Sequence, residues 1–82
     1  METQKVHENV RVFTDFNGQR VRPVAFVRAG RKYEVQCVNL VYRKRVGKRF
    51  VWCFAVSDEG NSFVLVYDPE NLQWTLEEVS AV

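Results

Sequence analysis

"RFVWCFAVSDEGNSFVLVYD", residues 49–68, decides the fold class. In an extended chain, Phe50, Trp52, Phe54 and Val56 point to one side and Val51, Cys53 and Ala55 to the other. The run "SFVLVY", residues 62–67, is again apolar on both sides. A strand of this kind is a central one, covered on both faces. Between the two runs, Asp58-Glu59-Gly60-Asn61 is a turn, because short polar side chains bond nearby backbone and glycine tolerates positive φ. The stretch therefore reads as two central strands of an antiparallel sheet.

The same reading extends outward, and no segment carries a 3.6-residue apolar stripe. "NVRVFTDF" (9–16) ends at Asn17-Gly18, a dipeptide that suits the two positive φ angles of a type I′ hairpin. "QRVRPVAFVR" (19–28) contains Pro23, which cannot donate to a ladder and so marks an edge, a bulge or a bend. Ala29-Gly30 turns the chain into "RKYEVQCVNLVYR" (31–43), where Tyr33, Val35 and Cys37 alternate with polar residues. The alternation changes at Cys37-Val38, after which Val38, Leu40 and Tyr42 carry the apolar side. A bulge or strong coil there lets one long strand serve two parts of a curled sheet. Val46-Gly47 leads into the opening stretch, Asp68-Pro69-Glu70-Asn71 ends it, and "LQWTLEEV" (72–79) is the last strand. The expected fold is all-β: a small antiparallel meander of five or six strands, forming a curled sheet or SH3-like barrel. Residues 1–9 are expected to be a frayed leader and 10–80 a single small β domain.

Eighty-two residues bury only about two-thirds of the unfolded surface, so a partner would help stability. No apolar run is long enough to span a membrane, and the N-terminus lacks the apolar core of a signal peptide, which makes the cytoplasm the expected location. Cys37 and Cys53 stand in apolar runs and are expected as buried thiols; a disulfide between them needs their strands to pair. With His7 as the single histidine and no Cys-x-x-Cys pair, neither metal nor other cofactor is expected. Catalysis is not expected either. His7 falls in the leader, Glu77 and Glu78 point to opposite faces of a strand, and so small a barrel offers no large cleft for a small-molecule substrate.

Charge is the most informative signal. Residues 20–49 hold ten of the twelve Lys/Arg and one acid, Glu34, whereas residues 50–82 hold six acids and no Lys or Arg. Such asymmetry points to a surface that faces a polyanion. In a meander, alternate turns lie at the same end, which gathers Arg43, Lys44, Arg45, Lys48 and Arg49 beside Arg20 and Arg22. Asp15, Asp68 and Glu70 are the acids nearest this cluster. Arg28, Arg31 and Lys32 belong to the far end, where ordinary surface pairing with Asp58 and Glu59 accounts for them, and Arg31 can pair with Glu34 or Asp58. A basic hairpin tip can contact phosphates, and Tyr42 or an exposed Trp74 can stack a base, although such residues are more often partly buried amphipathic core residues. The bland alternative is that hairpin tips are polar anyway and that cations blunt edge-to-edge aggregation.

From Pro23 to Val79 the chain resembles a family of short bacterial all-β domains of unknown function. The matching residues are Pro23, Phe26, Gly30, Arg31, Tyr33 and Val35, then Tyr42 and Arg43. They continue through Phe54, Val56, Gly60, Phe63, Leu65, Tyr67, Asp68, Trp74, Leu76, Glu77 and Val79. Most are strand-core and turn positions, so the resemblance speaks for a fold. Its members are sometimes neighbours of damage-tolerance DNA polymerases, which implies a nucleic-acid or DNA-repair context and no catalytic residues. Ala55 and Val64 replace residues that are usually polar in that pattern. With Val51, Cys53 and Val66 they make a second apolar face, on the order of several hundred Å², that needs a cover. The N-terminal segment (Val10, Val12, Phe13, Phe16) is one cover and a second copy is another. Two functions follow: a non-catalytic module binding DNA or RNA through Arg20, Arg22, Tyr42, Arg43, Lys44, Arg45, Lys48 and Arg49, or a protein-interaction or homodimerisation module using an apolar face or strand edge.

Overall fold

The computed structural model describes residues 3–81. Seven strands are present: β1 (Thr3–Asn17), β2 (Arg20–Arg28), β3 (Arg31–Glu34), β4 (Cys37–Val46), β5 (Arg49–Ser57), β6 (Asn61–Asp68) and β7 (Gln73–Ala81). They form one antiparallel sheet in the order β3-β2-β1-β7-β6-β5-β4, which is not closed into a barrel. The count exceeds the expected five or six because the long run 31–43 is divided. Val35 donates its N–H to Val24 of β2 and Gln36 donates to Ser57 of β5, so the chain changes partners across two residues. A straight strand from Arg31 to Val46 would span roughly 50 Å at ~3.3 Å per residue. The longest dimension of the molecule is 33 Å, so the run has to bend.

β1 performs the same service on the opposite side. Its first part, Thr3 to Val10, pairs with β7, and its second, Arg11 to Asn17, pairs with β2. Thr3–Asn9 are thus ordered ladder residues and not the frayed leader expected for 1–9; Met1 and Glu2 lie outside the described residues. The curl brings Phe26 of β2 against Phe54, Val56, Phe63, Leu65, Trp74 and Leu76 from the other half of the sheet. Aromatic geometry locks this inner face. Phe26 stacks on Tyr33 at 5.1 Å and meets Phe63 edge-on at 4.9 Å, while Trp74 lies 5.3 Å from Phe54 and 4.9 Å from Tyr67. Such pairs add about 0.5–1.5 kcal/mol each beyond area burial.

Turn chemistry explains the hairpins. Ala29 and Gly30, at φ 52° and 77°, form the two-residue loop between paired Arg28 and Arg31, the double positive φ of a type I′ turn. At the first hairpin the loop residues are Gly18 and Gln19, and only Gly18 has positive φ, so this turn is not the expected type I′. Asp58 holds the β5–β6 turn by accepting from the N–H groups of Gly60 (2.9 Å) and Asn61 (2.8 Å). Pro23 stands at the β1–β2 bulge, where β2 has no second neighbour.

A second bulge, between Val38 and Leu40, separates side chains that simple alternation assigned to one side. Val38 packs on the core, whereas Leu40 pairs with Ala55 and Tyr42 with Cys53 on the outer face. The N-terminal residues expected as its cover lie elsewhere, Val10 and Val12 on the inner core and Phe13 and Phe16 exposed, yet Val51 and Cys53 of that outer face are buried. Among the described residues no helix is long and apolar enough to cross a membrane.

Candidate functional site

The β4–β5 hairpin outruns its neighbours. Pairing of β5 with β6 stops at Trp52–Tyr67, but β4 and β5 continue from Arg43–Trp52 to Val46–Arg49 around Gly47-Lys48. Every residue from Asn39 to Phe50 is exposed. Residues directly opposite in an antiparallel pair share a face. Arg43 with Trp52 and Arg45 with Phe50 therefore lie on the inner face, beyond the end of the core. Tyr42 with Cys53 and Lys44 with Val51 lie on the outer face. The Arg43 guanidinium sits 4.7 Å from the Phe50 ring centre and 5.9 Å from that of Trp52, a cation over two aromatic faces.

The five tip cations are not equivalent. Arg49 reaches Asp68 at 3.0 Å and Glu70 at 3.6 Å, which braces the hairpin against the β6–β7 turn and offsets its charge. Arg45 donates through Nε to the Gly47 carbonyl at 3.0 Å. Among the described residues, Arg43, Lys44, Arg45 and Lys48 have no carboxylate within 4.0 Å. The far-end cations are accounted for differently from expectation. Arg28 pairs with Glu8 through two 3.1 Å bonds, Lys32 meets Glu34 at 3.6 Å, and Arg31 lies 5.2 Å over the Tyr33 ring. The bond to Glu8 raises the Arg28 pKa. Asp58 is occupied by its own turn.

Between the β1–β2 tip and β4–β5 lies a cleft of about 620 Å³. One wall is Gln19, Arg20, Val21 and Arg22; the other is Val38, Val41, Trp52 and Phe54, with Tyr67 between. It contradicts the expectation that so small a chain has no large cleft. The cause is topological: β3 pairs only with Ala25–Arg28, so the outer edge of β2 from Arg20 onward and the outer edge of β4 diverge without a strand between them. Arg20 and Arg22 do come near the β4–β5 arm, but across this cleft. The lining contains cations, aromatic rings and aliphatic groups, with no carboxylate, imidazole or thiol. Such a surface can hold a flat apolar group beside an anion.

Trp74 is the core residue that its amphipathic side chain suggested, and Tyr42 does not share the face of Arg43 and Arg45. Trp74 is buried between Phe54 and Tyr67, and Tyr42 stands on the outer face beside Cys53. Burial, with a smaller effect of Cys53, raises the Tyr42 pKa, and burial likewise pushes the Cys53 thiol up. Trp52 and Phe50, 41% and 45% exposed, take the inner-face position instead. The alternation put them on the Phe54 face; Trp52 still pairs with Tyr67 but faces the open cleft, and Phe50 lies beyond the end of the β5–β6 pairing. Cys37 is exposed and not buried as expected, and both thiols are free. Cys37 pairs with Ser57 and Cys53 with Tyr42, four residues apart along β5, roughly 13 Å at ~3.3 Å per residue and too far to bond. Among the described residues no group of three His, Cys, Asp or Glu side chains could hold a metal. No family model, curated protein or solved structure matches the chain.

Proposed function

We propose that this protein is a small non-catalytic module that binds DNA or RNA through the phosphate backbone, with the β4–β5 hairpin as its grip. The observation that carries the reading is that, among the described residues, the projecting hairpin's Arg43, Lys44, Arg45 and Lys48 have no carboxylate within 4.0 Å, and that three of them, Arg43, Arg45 and Lys48, lie on its inner face or at its turn. A hairpin built only to be polar gains solubility from mixed charge, whereas a single-sign tip supplies a polyanion contact. Arg20 and Arg22 flank the opposite wall and add positive charge beside it. The fold is read as an SH3-like barrel opened along the seam between β2 and β4. The resemblance to bacterial domains found beside damage-tolerance polymerases points the same way, toward a cytoplasmic role in DNA repair.

The competing reading is a protein-interaction or homodimerisation module. It is favoured by the unpaired outer edge of β4 and the 57% exposed Leu40. The cations on that edge act against strand pairing. Anisotropy of labelled oligonucleotides at about 50 mM salt, where phosphate contacts are strongest, separates the two. Binding that weakens as salt is raised supports the grip. Absence of binding at low salt, with a concentration-dependent dimer in sedimentation, supports the alternative.

A further inference from the structure

We infer that the nucleic acid is held single-stranded, with unstacked bases seated on Trp52 and Phe50 and directed into the cleft between the β1–β2 and β4–β5 arms. This rests on the nucleic-acid reading and adds the strandedness of the ligand and the residues that read it.

Trp52 and Phe50 stand two residues apart on one face of β5, so their rings are separated along the strand by about 6.6 Å, twice the ~3.3 Å rise. That is roughly double the ~3.4 Å spacing of stacked nucleotides. The two rings therefore suit bases that have been drawn apart. Within a duplex the faces of the bases are occupied by their neighbours, and neither ring could reach one without melting the pair. Only an open strand can use both.

The cations are arranged to match. Arg43 lies over both rings and Arg45 shares the Phe50 position, so a base on either aromatic group leaves its phosphate close to a guanidinium. Beyond Trp52 the same face continues past Val41 to Tyr67 in the cleft. Its far wall is the segment 19–22, where Val21 faces the core and alternation turns the Arg20 and Arg22 side chains to the other face, so they flank the cleft; no carboxylate in the lining opposes a phosphate. Exposed aromatic rings, interleaved cations and a groove without acids are the combination that sequence-tolerant single-strand binding requires. A protein occupant would leave the cations unpaired unless it were acidic.

The test uses the full chain and three labelled ligands of equal length: oligo-deoxythymidylate, oligo-uridylate and a DNA duplex. Intrinsic fluorescence is read with anisotropy, since Trp52 is half-exposed and Trp74 is buried. A single strand of either sugar should quench the Trp52 emission, and Trp52→Phe should abolish that quenching while keeping most of the affinity. Trp52→Ala should weaken single-strand binding about 5- to 150-fold, the range for loss of one base–aromatic stack, and leave duplex binding within about twofold. Phe50→Ala should act in the same direction, and thermal melts identify any variant that has failed to fold. Salt-sensitive binding of duplex and single strand alike, unaffected by either aromatic variant, would overturn the inference and leave the backbone grip standing. No binding of any of the three ligands would overturn both.

Discussion

Arg45 and Lys44 are adjacent, equally charged and exposed, yet the register assigns them to opposite faces of the hairpin. Arg45 shares the inner face with Arg43, Phe50 and Trp52, whereas Lys44 stands with Val51 on the outer face. A strand following the inner face meets Arg43 and Arg45, and Lys48 at the turn, but not Lys44. Each phosphate contact on a single strand contributes about 0.7 to the slope of log affinity against log salt. Three contacts predict a slope near −2.1, or roughly an 18-fold loss of affinity between about 50 and 200 mM salt. Arg45→Gln should reduce the slope to about −1.4, a loss of roughly sevenfold over the same range. Lys44→Gln should leave it near −2.1. Anisotropy titrations at five salt concentrations with a single-stranded oligonucleotide measure all three slopes. Equal changes for the two variants would refute the assignment of the ligand to one face. A slope indistinguishable from zero in the unaltered protein would refute the electrostatic grip.

Three further outcomes follow from the fold. Ala29 occupies the left-handed region at φ 52°, which costs a non-glycine residue about 1–2 kcal/mol, partly offset in glycine by backbone entropy. Ala29→Gly should therefore stabilise the protein by about 0.5–1 kcal/mol, seen as a higher urea midpoint with unchanged m. Phe26, with no exposed surface and contacts to Tyr33 and Phe63, should lose about 3–5 kcal/mol on truncation to alanine. In so small a domain, circular dichroism should show that variant largely unfolded at 25 °C. Thiol titration near neutral pH should modify Cys37 alone in the native protein and both cysteines in denaturant, because Cys53 is buried and its pKa is raised. Folding raises that pKa, so the neutral thiol supports the fold below the ordinary thiol range. The contribution fades as pH climbs through the raised value, and chemical denaturation across alkaline pH measures the decline.

Local chemistry made much of the fold legible. Alternation marked the strands, and Gly18, Ala29-Gly30, Gly47 and Asp58-Asn61 marked turns, because each requirement acts over only a few residues. The basic character of the β4–β5 tip was equally local. Less legible was the site, since strand content says nothing about how far a neighbour extends. Trp52 and Trp74 both read as apolar strand residues, yet Trp52 faces the open cleft while Trp74 is enclosed by Phe54 and Tyr67. Tyr42 stands on the outer face for a related reason: one extra residue at the Val38–Leu40 bulge reverses the faces beyond it.

By itself, the sequence determined that the chain is built of antiparallel strands, where most of them turn, and that its cations concentrate between residues 20 and 49. Those properties depend on neighbours along the chain. Tertiary structure alone decided that β1 pairs with β7, that β3 and β4 become opposite edges, and that the sheet stays open as a cleft. It also decided which cations are spent on Asp68, Glu70 and Glu8 and which stand beside exposed aromatic rings. These outcomes depend on register and contact between segments far apart in the chain, where a shift of one residue moves a side chain to the other face.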